Sequence, residues 1–312
     1  MNQSLAERDP TNTAIQADIA NGYRLLGKAL YDRGKLDEAM DAFQRGLKIS
    51  DRLVKQDPTN RDWRYDLAAI YDGVGSIFDA QNKLQDALEA HQTTANILQR
   101  LVEEDKSKTA WQRNLSVAYN RIGDIFFARG NLQGSLEVFQ QGLKISKSLA
   151  EQDSLNKGWQ YDFSVSNERV GDVFKAEGKL PEALDSYEAS LNIRQELVKQ
   201  DSADTFWQRN LSIAYNNVGD VLKVQNKLGK RSTPTNTHWR SANNYLNTTI
   251  RTAVGKAIFP GVITRLVMSW WSRVILLCGS RGGPNRSANR LKIPAWVSFS
   301  IGVLSFANAG MV

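Results

Sequence analysis

The stretch most suggestive of chemistry is Gly22-Tyr23-Arg24-Leu25-Leu26-Gly27-Lys28-Ala29. Two glycines five apart followed by lysine match most of a phosphate-binding loop, whose amides and lysine cradle a nucleotide's phosphates. That chemistry also needs a strand before the loop and a Ser or Thr after the lysine to hold magnesium. Ala29 stands in that last place. His91 has the right type for a general base, but no Ser, Cys or metal-ligating partner lies at a sensible spacing from it. His238 and the single Cys278 stand alone. Asn114-Leu115-Ser116 and Asn210-Leu211-Ser212 match the glycosylation sequon, yet both sit inside helical patterns. No residue is therefore assigned a catalytic, cofactor-binding or metal-binding role, and an enzyme is not expected.

The elements that carry these residues repeat. Trp63, Trp111, Trp159 and Trp207 are spaced 48 residues apart, with Ile15 one period upstream. Gly27, Gly75, Gly123, Gly171 and Gly219 form a second column in the same register. Leu36, Leu84, Leu132, Leu180 and Leu228 form another, and Leu53, Leu101, Leu149 and Leu197 a fourth. Within a period the apolar spacing is helical, as in Tyr119, Ile122, Gly123 and Phe126. A break is expected at Gly130-Asn131 and its equivalents Gly34-Lys35, Asn82-Lys83 and Gly178-Lys179, where Gly or Asn suits the left-handed residue ending a helix. A second helix follows, striped by Leu136, Phe139, Leu143 and Leu149. It ends in turns such as Gln56-Asp57-Pro58-Thr59-Asn60, which also supply the next N-cap. The stripe is wider than one partner helix can cover, so neighbouring hairpins must stack.

The order of aromatic, Gly, aromatic, Gly or Asn, small, aromatic and small residues resembles the tetratricopeptide repeat. In the third period these are Tyr119, Gly123, Phe126, Gly130, Ser135, Phe139 and Gly142. In the fourth they are Asn167, Gly171, Phe174, Gly178, Ala183, Tyr187 and Ser190, with Asn167 departing from the aromatic of the other copies. His91 falls in the column of Phe43, Phe139 and Tyr187 and is read as a packing residue of its hairpin. Each Trp is read as structural, packing on the end of the preceding second helix. The resemblance covers residues 1–228, as four full repeats and a half repeat whose first helix runs from Trp207 to Asn226. It implies an all-α, right-handed superhelical solenoid of antiparallel helix pairs. The period exceeds the family's 34 residues because both helices are longer, as in long bacterial arrays.

The resemblance also implies a function, namely a non-enzymatic scaffold or adaptor that binds peptide segments of other proteins in a concave groove lined by the first helices. Carried onto this sequence, that face comprises Arg24, Lys28 and Tyr31, then Asp72, Ser76 and Asp79, then Asn120, Asp124 and Phe127. It continues with Glu168, Asp172 and Lys175, and ends with Asn216, Asp220 and Lys223. Its middle sets Asp72, Asp79, Asp124, Glu168 and Asp172 against Lys175, so a basic segment is the expected ligand there.

The net charge of +7 conceals a boundary near Leu228. Residues 1–228 hold 29 Lys and Arg against 33 Asp and Glu, whereas 229–312 hold 11 Lys and Arg and no acid. This basic C-terminal extension has no persistent helical period. It reads first as a segment without an evolved fold, such as a shifted frame or fusion, and second as a membrane anchor. Residues 293–312 carry no charge and are long enough to span, whereas 257–278 contain Arg265 and Arg273, each costing about 2.5–3.5 kcal/mol at a helix centre. Nucleic-acid binding has only the charge in its favour. The apolar-poor N-terminus and the lone cysteine fit a cytoplasmic protein, or a membrane-associated one with its array in the cytoplasm.

Overall fold

The structure, a computed structural model, describes residues 12–229, with side chains described as far as Gln225. The expectations placed on 229–312, including membrane contact through 257–278 or 293–312, lie outside these residues apart from Gly229. Among the described residues the chain forms helices and no strands. They are α1 (Thr13–Asp32), α2 (Leu36–Gln56), α3 (Arg61–Ala80), α4 (Leu84–Glu104), α5 (Thr109–Ala128), α6 (Leu132–Gln152), α7 (Lys157–Ala176), α8 (Leu180–Gln200) and α9 (Thr205–Gly229).

The turns have the chemistry that the sequence supplies. Within each hairpin the first helix ends on a residue of positive φ: Gly34 (74°), Asn82 (56°), Gly130 (75°) and Gly178 (76°). A left-handed residue there lets its own amide and the next one close on the last turn, as when Gly34 N–H donates to the Tyr31 carbonyl and Lys35 N–H to that of Leu30. Asparagines cap three of the first helices, α1, α3 and α7. The side chains of Asn12, Asn60 and Asn156 accept from the backbone N–H groups of Ile15, Trp63 and Trp159 at 3.1–3.2 Å.

One contact organises each hairpin. The rings of Phe43, His91, Phe139 and Tyr187 lie directly on Gly27, Gly75, Gly123 and Gly171. A Cβ at Gly123 would sit 2.4 Å from the Phe139 ring, so no other residue fits without displacement. The far side of the ring is covered by the next repeat, with Phe43 meeting Ile70, Val74 and Ile77, and Phe139 meeting Val170 and Val173. Burying such a ring contributes roughly 1.5–3 kcal/mol, and it ties two repeats together. Trp111, 6% exposed, packs with Leu98 and Leu101 of the preceding second helix, as the structural reading of the column expects. Asn167 is buried, and its amide donates to the Phe163 carbonyl, which satisfies a polar group in an aromatic column.

From α3 onward, successive first helices are also clasped side chain to side chain, one period plus one residue apart. Asn114 Nδ2 donates to Tyr65 Oη at 2.8 Å, Arg113 Nε to Asp162 Oδ2 at 2.5 Å, and Tyr161 Oη to Asn210 Oδ1 at 3.3 Å. The fifth first helix departs from expectation. A break was predicted after Asn226, but α9 continues to Gly229. Asparagine tolerates both the helical and the left-handed conformation, so it does not force a stop.

Candidate functional site

The phosphate-loop reading fails on backbone grounds, since Gly22–Lys28 lies within the unbroken helix α1 and Gly27 is occupied by the Phe43 ring. Among the described residues no cluster of His, Cys, Asp and Glu could hold a metal, and no helix is long and apolar enough to cross a membrane.

Five of the fifteen residues of the face read from the sequence come together around one recess. A recess of about 790 Å³ is lined by Asp79, Asn120, Asp124, Glu168 and Asp172, together with Arg121, Arg169, Arg194, Tyr161 and Asn210. Other residues of that face stand apart from the recess. Lys28 pairs with Asp32 at 3.1 Å, Arg24 bonds Asn21, and Lys223 pairs with Asp220 at 3.0 Å, while Tyr31, Phe127, Lys175 and Asn216 also lie outside its lining. Two expected groove residues are interior instead. Ser76 is 6% exposed and donates to the Asp72 carbonyl, the common use of a serine inside a helix. Asn120, though on the lining, is 7% exposed and donates to Ser166 Oγ at 3.2 Å, which places it in the joint between α5 and α7.

Each of the five acidic groups in the middle of the face has a partner that the sequence reading omitted. Asp124 accepts two bonds from Arg169 at 2.8 Å, in a bidentate arrangement. Glu168 is bonded by Arg194 and by Asn217 Nδ2 at 2.7 Å. Arg194 is 2% exposed, and its guanidinium also donates to Ser164 Oγ and to the Asn210 carbonyl, both at 3.1 Å. It thereby joins α7, α8 and α9. Tyr187 Oη donates to Asp172 Oδ1 at 2.6 Å. Burial pushes the Asp172 carboxyl up, against that hydrogen bond, and burial with the neighbouring Asp172 raises the Tyr187 phenol.

Asp72 and Asp79 close on a fourth group. His91 Nε2 lies 2.9 Å from Asp79 Oδ2, and Nδ1 lies 3.5 Å from Asp72 Oδ1. Arg121 Nε approaches Asp72 at 3.1 Å. Burial penalises the charged imidazole, but hydrogen bonds to Asp72 and Asp79 outweigh it and raise its pKa. Burial likewise disfavours the Asp72 carboxylate, while His91 and Arg121 together bring its pKa below the ordinary range. His91 is thus the packing residue that the column predicts, with a polar function that the column does not reveal. Acidity counted from the five carboxylates alone overstates what a ligand meets. A usable signal existed in that Arg121 and Arg169 occupy the column of Leu25, Gly73 and Asn217, 45–49 residues from the acids they pair.

Residues 20–53 match the tetratricopeptide repeat family. No curated protein sequence matches the chain. Among solved structures it is similar to BtubC (BKLC) from P. vanneervenii, with a TM-score of 0.56 at 16% identity, covering 94% of this chain and 92% of that one. It also resembles the nearly identical TPR-like repeats of a Podosopora anserina protein named as a kinesin light chain, with a TM-score of 0.46 at 16% identity over 78% and 98% of the two chains. Tetratricopeptide scaffolds generally mediate protein–protein interaction and are typically not enzymes. The ring-on-glycine hairpin recurs four times, and its first copy, Gly27 with Phe43, lies within the stretch that matches the tetratricopeptide repeat family.

Proposed function

We propose that the array is a non-enzymatic scaffold that binds an extended segment of a partner protein along its first-helix face, centred on the recess between α5, α7 and α9. The observation that carries this reading is the recess itself, where polar side chains from successive repeats converge on one side of the stack. Paired charges that are 30–46% exposed, such as Arg169 and Asp124, can exchange an internal partner for one on a ligand with little desolvation. Such a surface selects by charge pattern and geometry more than by apolar burial.

The test is co-purification with the full chain. Asp124→Lys with Asp172→Lys changes the recess, and Lys147→Glu with Glu151→Lys changes an exposed pair on the second helix α6. A partner held by the wild type and the α6 variant, and lost from the recess variant with its helicity intact, supports the reading. A partner held equally by the recess variant places binding elsewhere.

A further inference from the structure

Most charges around the recess are fixed, because a guanidinium stays protonated in proteins. Arg169 neutralises Asp124 and Arg194 neutralises Glu168 whatever the pH. The second repeat differs, because its cluster contains an imidazole, the side chain whose ordinary pKa puts its charge change near neutral pH. His91 is completely buried, seated on Gly75. Both of its nitrogens face carboxylates that are partly exposed, Asp72 at 33% and Asp79 at 32%, although Asp72 Oδ1, the oxygen turned toward His91 and Arg121, is itself buried. The other groups around them are Arg121, 3.1 Å from Asp72 and 3.9 Å from Asp79, and Lys28 of the preceding repeat, whose charge also acts on Asp72.

With His91 protonated, the charges of His91, Arg121, Asp72 and Asp79 cancel, and with His91 neutral they leave one negative charge. A neutral imidazole has a single N–H. The shorter contact, 2.9 Å, keeps that proton on Nε2 against Asp79, so Nδ1 turns a lone pair toward Asp72. We propose that His91 sets the charge specificity of this end of the first-helix face, so that Asp72 accepts a lysine or arginine side chain of a bound segment when His91 is neutral and rejects it when His91 is protonated. This rests on the first-helix face being the binding face. The proton on His91 and a ligand cation compete for the same carboxylate, so each weakens the other by the same factor.

A capped nonapeptide of alternating lysine and alanine serves as the probe, titrated calorimetrically into the full chain at pH 6 and pH 9 at equal ionic strength. The wild type should bind it about fivefold or more tightly at pH 9, and His91→Phe, the residue of the first and third repeats, should bind it equally at both. Equal or weaker binding by the wild type at pH 9 overturns the proposal, as does a His91→Phe variant that keeps the pH dependence. Binding at neither pH overturns the cation site, while the first-helix face as a whole stands or falls by the co-purification experiment. A second measurement needs no variant. Saturating peptide should lower the pKa of the His91 ring followed by NMR, and an unmoved pKa overturns the proposal.

Discussion

In the third repeat the ring over glycine is Phe139, enclosed by Val170 and Val173; in the second it is His91, enclosed by Asp72, Asp79 and Arg121. The backbone geometry is the same, and so is the demand beneath the ring, where a Cβ would lie 2.4 Å from Phe139 or 2.6 Å from His91. The contrast separates two requirements that a repeat motif merges. The absence of a side chain at the glycine is a steric condition common to both repeats. The nature of the ring is free, provided that each buried polar atom finds a partner. The second repeat meets that condition at Nε2, which bonds Asp79, while Nδ1 stands 3.5 Å from Asp72, and so couples its interior to its surface.

The largest effect should come from the shared requirement. Gly123→Leu forces a branched side chain into the space of Phe139, and Gly75→Leu into that of His91. Each should cost about 3 kcal/mol by overpacking, read as a fall in the midpoint of chemical unfolding. An unchanged midpoint for either would break the comparison at its root.

Next in size is the exchange Phe139→His. In the third repeat the positions equivalent to Asp72 and Asp79 are Asn120 and Phe127, so the new ring would lack the carboxylates that answer His91. A buried imidazole with poor partners should cost about 2 kcal/mol, and its cost in equilibrium unfolding should exceed that of His91→Phe. The reverse order would show that the carboxylates do not specify the histidine.

The pH dependence should be smaller and of definite sign. The folded-state pKa of His91 lies above its ordinary value, so its stabilisation is complete below that ordinary value and is lost as pH rises through the folded one. Asp72, held low, acts in the opposite range, losing its stabilisation as pH falls through its depressed pKa. The wild type should lose stability across the neutral-to-alkaline window while His91→Phe does not, as urea unfolding at several pH values would register. Smallest of all, Lys35→Ala removes an ion pair whose partners are 51% and 57% exposed. It should change stability by less than about 0.5 kcal/mol, and a larger loss would show that surface pairs matter as much as the ring sites.

Much of this was legible in the sequence because the stacking rules act within one period. The break at Gly130-Asn131, the ring column and the Trp column each follow from local spacing, and α5 and α6 end and begin around that break as expected. The charge pairing was not legible in the same way. Reading one helix face at a time lists Asp124 without Arg169, because the partner belongs to the neighbouring repeat and to a different column. Arg194 stands where the other repeats have Ser50, Leu98 and Ser146, so its column gave no hint of a buried cation. Asn226 shows the converse limit, a residue that permits a turn without imposing one.

The clasps between first helices alternate: Tyr65 meets Asn114, Arg113 meets Asp162, and Tyr161 meets Asn210. Of these three joints the first and third are alike and the middle one differs. Excising a single period, residues 114–161, would bring Arg113 against Asn210 and exchange a carboxylate for an amide. Excising two, residues 66–161, would leave Tyr65 beside Asp162 in one helix and facing Asn210 in the next, restoring a Tyr–Asn joint. From Tyr65 to Asn210, the unit that can be removed with its joint chemistry preserved is the double repeat.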